Sequence, residues 1–192
     1  MNKIIALDIG NVCFKIDKDI WLNKLKIDAG NLALRKELNI DKNKMELGRI
    51  SREEFLVSLH NLTGNRFSDN ELITAYCSII KDETAGMHCL MNDFTDSGFK
   101  IMFFSDTSPL HLDYVYSRLS FANIIFGGVF SFDVGRFKPD SRMFAEFEKR
   151  YGRPEIYIDD LENNCIAADG YGWKAHRFTS AENCRKEVSP HM

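Results

Sequence analysis

The sequence predicts an α/β protein with a doubly wound parallel sheet, because short apolar runs alternate with amphipathic helical segments. The first run, Ile4 to Asp8, is nearly continuously apolar, as expected for a strand covered on both faces, and Gly10 ends it. Similar runs follow at 100–104, 156–158 and 174–178, and 128–131 is a candidate fifth strand. In such a sheet, ligands bind outside the carboxyl ends of the strands.

Helical periods separate the later runs. Apolar side chains recur there every three or four positions, at Met87, Leu90, Met91 and Phe94, at Leu112, Val115, Tyr116 and Leu119, and at Met143, Phe144 and Phe147. Alternation of this kind implies right-handed crossovers between parallel strands.

The segment 15–83 interrupts the alternation. It contains helical periods and polar loops but no convincing strand, so we expect a small all-helical cap there, with 1–14 and 84–192 forming the α/β core. Ser51 and Glu54 have the spacing of a capping box, and Ser68 or Asp69 is a candidate N-cap for a later helix.

Composition excludes several classes of protein. The net charge is −3 and no basic run could follow a phosphate backbone, so we expect no nucleic-acid partner. No apolar stretch reaches the roughly 20 residues of a membrane helix, and the first residues lack a signal-peptide layout, so we expect a cytoplasmic protein without a membrane partner. The five scattered cysteines are interpreted as reduced core thiols.

Reactive side chains stand at the ends of the predicted strands, or in loops beside them. They are Asp8 in LDIGNV, Ser105 in FFSDTS, Lys138 in GRFKPD, and Asp159 with Asp160 in YIDDLENN. A carboxylate that approaches a phosphate dianion meets a repulsion of roughly 4 kcal/mol per pair of unit charges at 4 Å. A lysine and a divalent cation held by the carboxylates would offset that repulsion.

In this order the motifs resemble those of the haloacid dehalogenase superfamily, and the helical segment with its MELGRISREEF stretch resembles the small cap of subfamily IA. The resemblance covers nearly the whole chain. It implies a Mg²⁺-dependent phosphatase that hydrolyses a small phosphorylated metabolite, such as a sugar phosphate, through an aspartyl-phosphate. Within the family, the DIGNV, GRIS and SDTS-x-x-H patterns resemble the α-glucose-1-phosphate phosphatase branch.

The resemblance also implies roles for individual residues. Asp8 would be the nucleophile and a metal ligand, joined by the Gly10 carbonyl and Asp160; Asp159 is a further candidate ligand, and Asn164 would support the metal shell.

Other groups would hold the phosphate. Ser105 and Lys138 complete the catalytic set with Asp8. The Ser105 hydroxyl can donate a hydrogen bond to the phosphate, and the turn amides around 9–11 can form an anion-binding nest. Asn11, Asp106 and Thr107 are candidate substrate-binding residues. In the cap, Trp21 and Lys15 are candidates for contact with the substrate.

The sequence departs from the family pattern at two positions. Many family phosphatases carry an acid/base aspartate where this chain has Gly10, and such a group contributes about 10² to 10⁴ in rate. Asp106 stands where the family usually has asparagine. It is a candidate substitute acid, although a local turn with Ser108 is the commoner role for such an aspartate.

Gly10 leaves two alternative functions open. A haloacid dehalogenase needs neither the missing acid nor a metal, although a carboxylate pair without a cation would repel an anionic substrate. A non-catalytic protein could instead use the same pocket to sense a phosphorylated metabolite.

Overall fold

The computed structural model describes residues 3–28 and 30–188. The strands in this part of the chain are β1 (Lys3–Leu7), β2 (Phe14–Ile16), β3 (Ile80–Glu83), β4 (Phe99–Ser105), β5 (Ile125–Phe130), β6 (Ile156–Asp159) and β7 (Ala175–Arg177). The helices are α1 (Ile20–Lys24), α2 (Leu32–Glu46), α3 (Arg52–Thr63), α4 (Asp69–Cys77), α5 (Met87–Asp96), α6 (Pro109–Arg118), α7 (Ser131–Val134), α8 (Ser141–Tyr151), α9 (Glu162–Gly170) and α10 (Ala181–Val188).

The main sheet is parallel, with strand order β5-β4-β1-β6-β7. Residues that alternate along its strands enter two separate apolar clusters: Ile5 and Phe103 belong to one cluster, Ala6 and Phe104 to the other. Because alternate side chains point to opposite faces, the clusters cover the two faces of the sheet. Helices α5, α6 and α10 pack in the first cluster and α8 and α9 in the second. The predicted doubly wound α/β fold is therefore confirmed.

The expectation that 15–83 contains no strand is wrong. Strands β2 and β3 pair antiparallel, with Phe14 opposite Glu83 and Ile16 opposite Ile80. The pair is only three and four residues long and carries exposed Lys15 and Asp82, so neither strand shows a readable apolar alternation.

Helices α1 to α4 lie between these two strands, as expected for a cap. The capping box of α3 is present, since Ser51 Oγ accepts the Glu54 amide at 3.1 Å and Glu54 accepts the Ser51 amide at 2.7 Å. Ser68, and not Asp69, caps α4 in the same way. The division of the chain at 14/15 and 83/84 stays a prediction, because one apolar cluster contains residues of both parts.

Two findings concern the surface. Within 3–28 and 30–188, none of the helices has the length and hydropathy that crossing a membrane requires. The cysteines are free thiols, and Cys89 is exposed on α5, contrary to the expectation that all five are core residues. Cys89 lies on the outer face of an amphipathic helix whose buried face is formed by its neighbours Leu90 and Met91.

Candidate active site

The carboxyl end of the central strand lies at the mouth of a cavity of about 350 Å³. Asp8 follows β1, and its neighbours β4 and β6 bring Ser105 and Asp160 to the same edge. Lys138 reaches this edge from the loop between α7 and α8. The volume is at the lower end of the roughly 300–1,000 Å³ of small-molecule pockets. The predicted site residues in its wall are Asp8, Gly10, Asn11, Ser105, Asp106, Thr107, Lys138, Asp160 and Asn164.

Lys138 is the central cation of the site. Its Nζ donates to Asp8 Oδ1 at 2.8 Å, to Asp159 Oδ2 at 2.6 Å and to the Phe104 carbonyl at 2.9 Å. The side chain is only 2% exposed. Burial alone would lower the Lys138 pKa, but the negative charge around it, led by Asp8, raises that pKa well above its usual value. The ammonium group is therefore charged and holds two carboxylates together.

Asp159 is fully buried behind the cavity and its oxygens are saturated with hydrogen bonds. Oδ1 accepts from the Leu161 amide at 2.8 Å and Oδ2 from the Tyr157 hydroxyl, and the Asn164 amide donates to both oxygens at 3.1 Å. Burial raises the pKa of Asp159, but Lys138 and these donors outweigh it and lower that pKa below the ordinary value. Asp159 is thus a fixed anion that orients Lys138. Sequence reasoning missed Tyr157.

Asp8 carries the charge that Lys138 leaves uncompensated. Its pKa is raised to about 7, mainly by burial and further by the charge of Asp159, while Lys138 and a hydrogen bond from Ser105 lower it. One ammonium group cannot neutralise two carboxylates, so Asp8 is where an additional cation would lower the free energy most.

Carboxylate oxygens of Asp8, Asp159 and Asp160 lie within 4.8 Å of one another. Burial raises the pKa of Asp160, whose Oδ2 accepts a hydrogen bond from Asn11 Nδ2 at 3.1 Å. Asn11 is held in turn by the Ile16 amide, which donates to its Oδ1 at 3.1 Å. Hard oxygen donors with excess negative charge are what Mg²⁺ requires, so the residues present fit this ion.

Two local expectations are corrected. Asp106 makes no turn with Ser108; its Oδ1 accepts the Lys138 amide at 2.9 Å, while Ser108 caps α6. The Asn11 amide donates to the Phe14 carbonyl at 2.7 Å and is not free to join an anion-binding nest. The Asp106 contact joins positions 32 apart in the chain, which local sequence patterns do not reveal, whereas the Asn11 contact is a local turn.

The cap supplies the other part of the cavity wall. Lys42 and Glu46 of α2 form an ion pair at 2.7 Å, and Trp21 lines the same cavity, whereas exposed Lys15 is not part of the wall. Tyr76 of α4 stacks on His111 of α6 with ring centroids 4.0 Å apart. Lys42, Glu46 and Tyr76 were not anticipated, because a charged or aromatic residue in a helix gives no sign of which neighbour it will face.

These features together define a haloacid dehalogenase-like α/β fold. The sheet is parallel, a carboxylate follows the central strand, and a carboxylate pair stands at the end of the next strand. A lysine is buried beside them, and a helical segment is inserted in the chain. No family model matches the sequence, and a search of curated proteins found no match either. Solved structures do match. A haloacid dehalogenase family enzyme from Bacteroides thetaiotaomicron has a TM-score of 0.85 at 20% identity, over 97% of this chain and 98% of that one.

Two further structures agree. The Bacteroides enzyme in complex with magnesium and inorganic phosphate has a TM-score of 0.80 at 20% identity, over 94% of this chain and 96% of that one. A predicted haloacid dehalogenase-like hydrolase from Porphyromonas gingivalis has a TM-score of 0.78 at 20% identity, over 100% of this chain and 98% of that one. The chain has the haloacid dehalogenase fold.

Proposed function

We propose that the protein is a Mg²⁺-dependent phosphatase that hydrolyses a small phosphomonoester through an aspartyl-phosphate on Asp8. The observation that carries the proposal is the arrangement around one cavity of Lys138, bonded to Asp8 and Asp159, and the neighbouring carboxylate of Asp160. A phosphate dianion can approach a carboxylate nucleophile only where cations are concentrated. The complex of the Bacteroides enzyme with magnesium and inorganic phosphate supports this choice of ligands.

Each residue of the site would have its own role in catalysis. Asp8 attacks phosphorus, and Lys138 holds its carboxylate in place and offsets its charge. Ser105 donates a hydrogen bond to the phosphoryl group, and the lining residues Asp106 and Thr107 border it. Positioning of this kind, together with electrostatic stabilisation, accounts for most catalysis of phosphoryl transfer.

The metal would be bound by Asp8, Asp160 and the Gly10 carbonyl. When bound, Mg²⁺ would offset the charge of the phosphoryl group and hold it in line. Asn11 would support this site by its hydrogen bond to Asp160. Asp159 lies close enough to be a ligand, but its hydrogen bonds favour the role of anchoring Lys138, and Asn164 would act through Asp159.

The proposed substrate is a small phosphorylated metabolite, and within that class we favour a sugar phosphate. The wall of the cavity carries polar side chains from the cap, Asn39, Lys42 and Glu46, which could bind hydroxyl groups, beside the aromatic ring of Trp21. The resemblance to the α-glucose-1-phosphate phosphatase branch points to a sugar 1-phosphate, whose leaving group needs less assistance than an ordinary alcohol.

A panel of phosphate esters tests the function. Sugar 1-phosphates, sugar 6-phosphates and p-nitrophenyl phosphate are incubated with the protein, with Mg²⁺ or with EDTA, and phosphate release is measured. We expect release only with Mg²⁺ and none from Asp8→Asn. Asp96→Asn, which changes an exposed carboxylate at the end of α5, is the matched control and should keep full activity. Equal release by Asp8→Asn would rule out this nucleophile.

Gly10 is the observation that favours the two alternatives, since it removes the usual acid/base side chain. A metal-independent dehalogenase would release halide from 2-haloacids in the presence of EDTA. A metabolite sensor would show heat of binding in calorimetry without turnover of any ester in the panel. Either result would replace the phosphatase proposal.

A further inference from the structure

We propose that Glu46 of the cap helix α2 is the general acid and base of this phosphatase, in place of the side chain that is missing at Gly10. The inference rests on the proposed function and deepens it. In an in-line displacement the leaving oxygen lies opposite the attacking oxygen, so a carboxyl group on the side of the cavity away from Asp8 can reach it. Glu46 lies in the part of the wall that the cap supplies, whereas Asp8 lies in the part that the sheet supplies.

The position of Glu46 is fixed by contacts between cap and core. Glu46 is 8% exposed, and its backbone carbonyl accepts a hydrogen bond from Ser131 Oγ of the core at 2.6 Å. Two residues later, Gly48 lies so close to the Phe132 carbonyl that a Cβ there would be 2.2 Å from the oxygen. The end of α2 is therefore held against the core. Glu46 lines the cavity, and its carboxylate is paired with Lys42 at 2.7 Å.

Space at position 10 is consistent with this assignment. A Cβ on Gly10 would lie 3.9 Å from Asp8 Oδ2 and 3.5 Å from Ile16, so a side chain there would stand beside the nucleophile. With glycine, no side chain from position 10 stands beside Asp8.

The charges around the cavity favour a proton on a carboxyl group. Among the described residues, five carboxylates line the cavity or adjoin it, those of Asp8, Glu46, Asp106, Asp159 and Asp160, together with three ammonium groups, those of Lys18, Lys42 and Lys138. With these groups ionised, a bound divalent cation brings the net charge of the cavity to zero, and a phosphate dianion then makes that net charge −2. Protonation of a carboxyl group that binds neither the metal nor Lys138 Nζ relieves this excess, and Glu46 and Asp106 are the two such groups.

Groups from several elements face Glu46. Lys42 lies on its own helix, Lys18 on the loop before α1, Tyr76 on α4, and Asp106 after β4. Burial raises the pKa of Glu46, and Lys42 and Lys18 oppose that shift without cancelling it. The negative charge of a bound phosphate would also raise the pKa of Glu46, as burial does.

The proposed step is balanced for atoms and charge. Asp8 forms a bond to phosphorus while the bond from phosphorus to the leaving oxygen breaks, and the Glu46 carboxylic acid gives its proton to that oxygen. A neutral alcohol and a Glu46 carboxylate result. Glu46 then accepts a proton from water as the water oxygen attacks phosphorus and the bond to Asp8 breaks, which releases inorganic phosphate and restores the acid.

Asp106 is the rival candidate, with a pKa raised to about 6, chiefly by burial. Both carboxylates are bonded, Asp106 Oδ1 to the Lys138 amide at 2.9 Å and Glu46 Oε2 to Lys42 Nζ at 2.7 Å, so this contact does not separate them. Asp106 follows β4 and lies with Asp8 and Ser105 in the part of the wall that the sheet supplies, whereas Glu46 lies in the part that the cap supplies. We therefore assign the proton transfer to Glu46.

The test compares two leaving groups in Glu46→Gln. The alkyl ester is the sugar phosphate that the wild-type protein hydrolyses in the panel. Its leaving oxygen needs a proton, whereas p-nitrophenol leaves without one. We expect kcat/KM to fall by about 10² to 10⁴ for the alkyl ester. The p-nitrophenyl ester should show a burst of nitrophenol followed by slow turnover, with an aspartyl-phosphate that can be trapped in acid. Glu46→Asp, which keeps a carboxyl group, should recover part of the loss.

Matched variants separate this role from a structural one. Glu37→Gln changes an exposed carboxylate on the same helix and should behave as wild type. Lys42→Met removes the ammonium that lowers the Glu46 pKa, so the limb of kcat/KM that falls as pH rises should move to higher pH. A merely structural role of Glu46 would leave that limb in place.

Four results would overturn the inference alone: a high-pH limb that Lys42→Met leaves in place, equal losses of Glu46→Gln on both esters without a burst, a change confined to KM, or a leaving-group-dependent loss in Asp106→Asn and not in Glu46→Gln. Absence of turnover by the wild-type protein would overturn the proposed function, and the inference with it. Thermal unfolding of each variant verifies that it is folded.

Discussion

Lys138 is a buried ammonium group bonded to two carboxylates, and its removal should affect both stability and chemistry. Lys138→Met would leave Asp8 and Asp159 buried without their cation, which typically costs about 3–5 kcal/mol. We expect the free energy of unfolding, measured with urea at pH 7.5, to fall by that amount and activity to be lost. Because Lys138 lowers the Asp8 pKa, its loss should raise that pKa further, so the folded variant keeps a proton on Asp8 that the unfolded chain has lost. Part of the stability should therefore return as pH falls from 7.5 towards 5.

The control for this prediction is Lys149→Met. Lys149 is exposed and pairs with Glu146 on its own helix at 3.3 Å, so its loss should change stability by no more than about 0.5 kcal/mol. Similar losses in the two variants would contradict the structural role of the Lys138 contacts.

Asp8 couples the binding of Mg²⁺ to pH. Because burial raises its pKa from 3.8 to about 7, the folded protein without metal keeps a proton on Asp8 that the unfolded chain has already lost. The stability that this group contributes is therefore present at low pH and is lost as pH rises from about 4 through 7. Mg²⁺ replaces the proton, so its stabilising effect should grow with pH.

Differential scanning fluorimetry measures this coupling. The increase in Tm on adding Mg²⁺ should be larger at pH 8 than at pH 6 in the wild type, and small at both values in Asp8→Asn. An increase that is the same at both pH values would exclude Asp8 as the group that exchanges its proton for the metal.

Not every residue of the site could be read from the sequence. Asp8, Ser105 and Asp160 could be placed together because the carboxyl ends of parallel strands meet at one edge. Tyr157 was missed because it lies in an otherwise apolar strand. It stands two positions before Asp159 in β6, so both side chains point to the same face of the sheet. Glu46 depends on how the cap docks on the core, a long-range contact that leaves no local signal.

At the scale of elements, Gly48 and Gly64 form a natural pair for comparison. Both follow the ends of cap helices with left-handed φ values, +63° and +65°. A Cβ on Gly48 would be 2.2 Å from the Phe132 carbonyl oxygen, whereas nothing lies within 4 Å of one on Gly64. Gly64→Ala therefore carries only the backbone penalty of about 1 kcal/mol, and Gly48→Ala also carries the clash.

We expect Gly48→Ala to lower the free energy of unfolding by about 1–3 kcal/mol more than Gly64→Ala does, because the end of α2 must move off the core. Phosphatase activity should fall in Gly48→Ala and be kept in Gly64→Ala. Urea unfolding and steady-state kinetics on the two variants provide the comparison. Equal effects would mean that the close approach of α2 to α7 is relaxed without cost.

Local physics explains which elements the sequence predicts. The capping boxes at Ser51 and Ser68 use residues only three positions apart, so both can be recognised without knowledge of the fold. Pairing of β2 with β3 joins segments more than 60 positions apart in the chain, and neither segment is long enough to show a period. Strands β1, β4 and β6 of the main sheet were predictable because burial on both faces leaves an almost continuous apolar run.

At the scale of the molecule, cap and core share one apolar cluster. Trp21, Leu38 and Phe55 of the cap belong to the same cluster as Ile5 and Phe103 of the sheet. Separating the two parts would expose this shared surface, at roughly 25 cal/mol for each square ångström of apolar area. The cap should therefore not unfold independently, even though it is an insertion in the sequence.

The two tryptophans allow this to be tested, since Trp21 is in the cap and Trp173 packs in the cluster on the opposite face of the sheet. Trp173→Phe leaves a fluorescence reporter in the cap, and Trp21→Phe leaves one in the core. In each variant the urea transition seen by fluorescence should coincide with that seen by circular dichroism, as two-state unfolding requires. The fluorescence and circular-dichroism transitions are compared within one variant, so a change in the overall stability of that variant shifts both transitions equally. A cap reporter that changes at lower urea than the helical signal would show that the cap melts first, and the boundary at 14/15 and 83/84 would then separate two cooperative units.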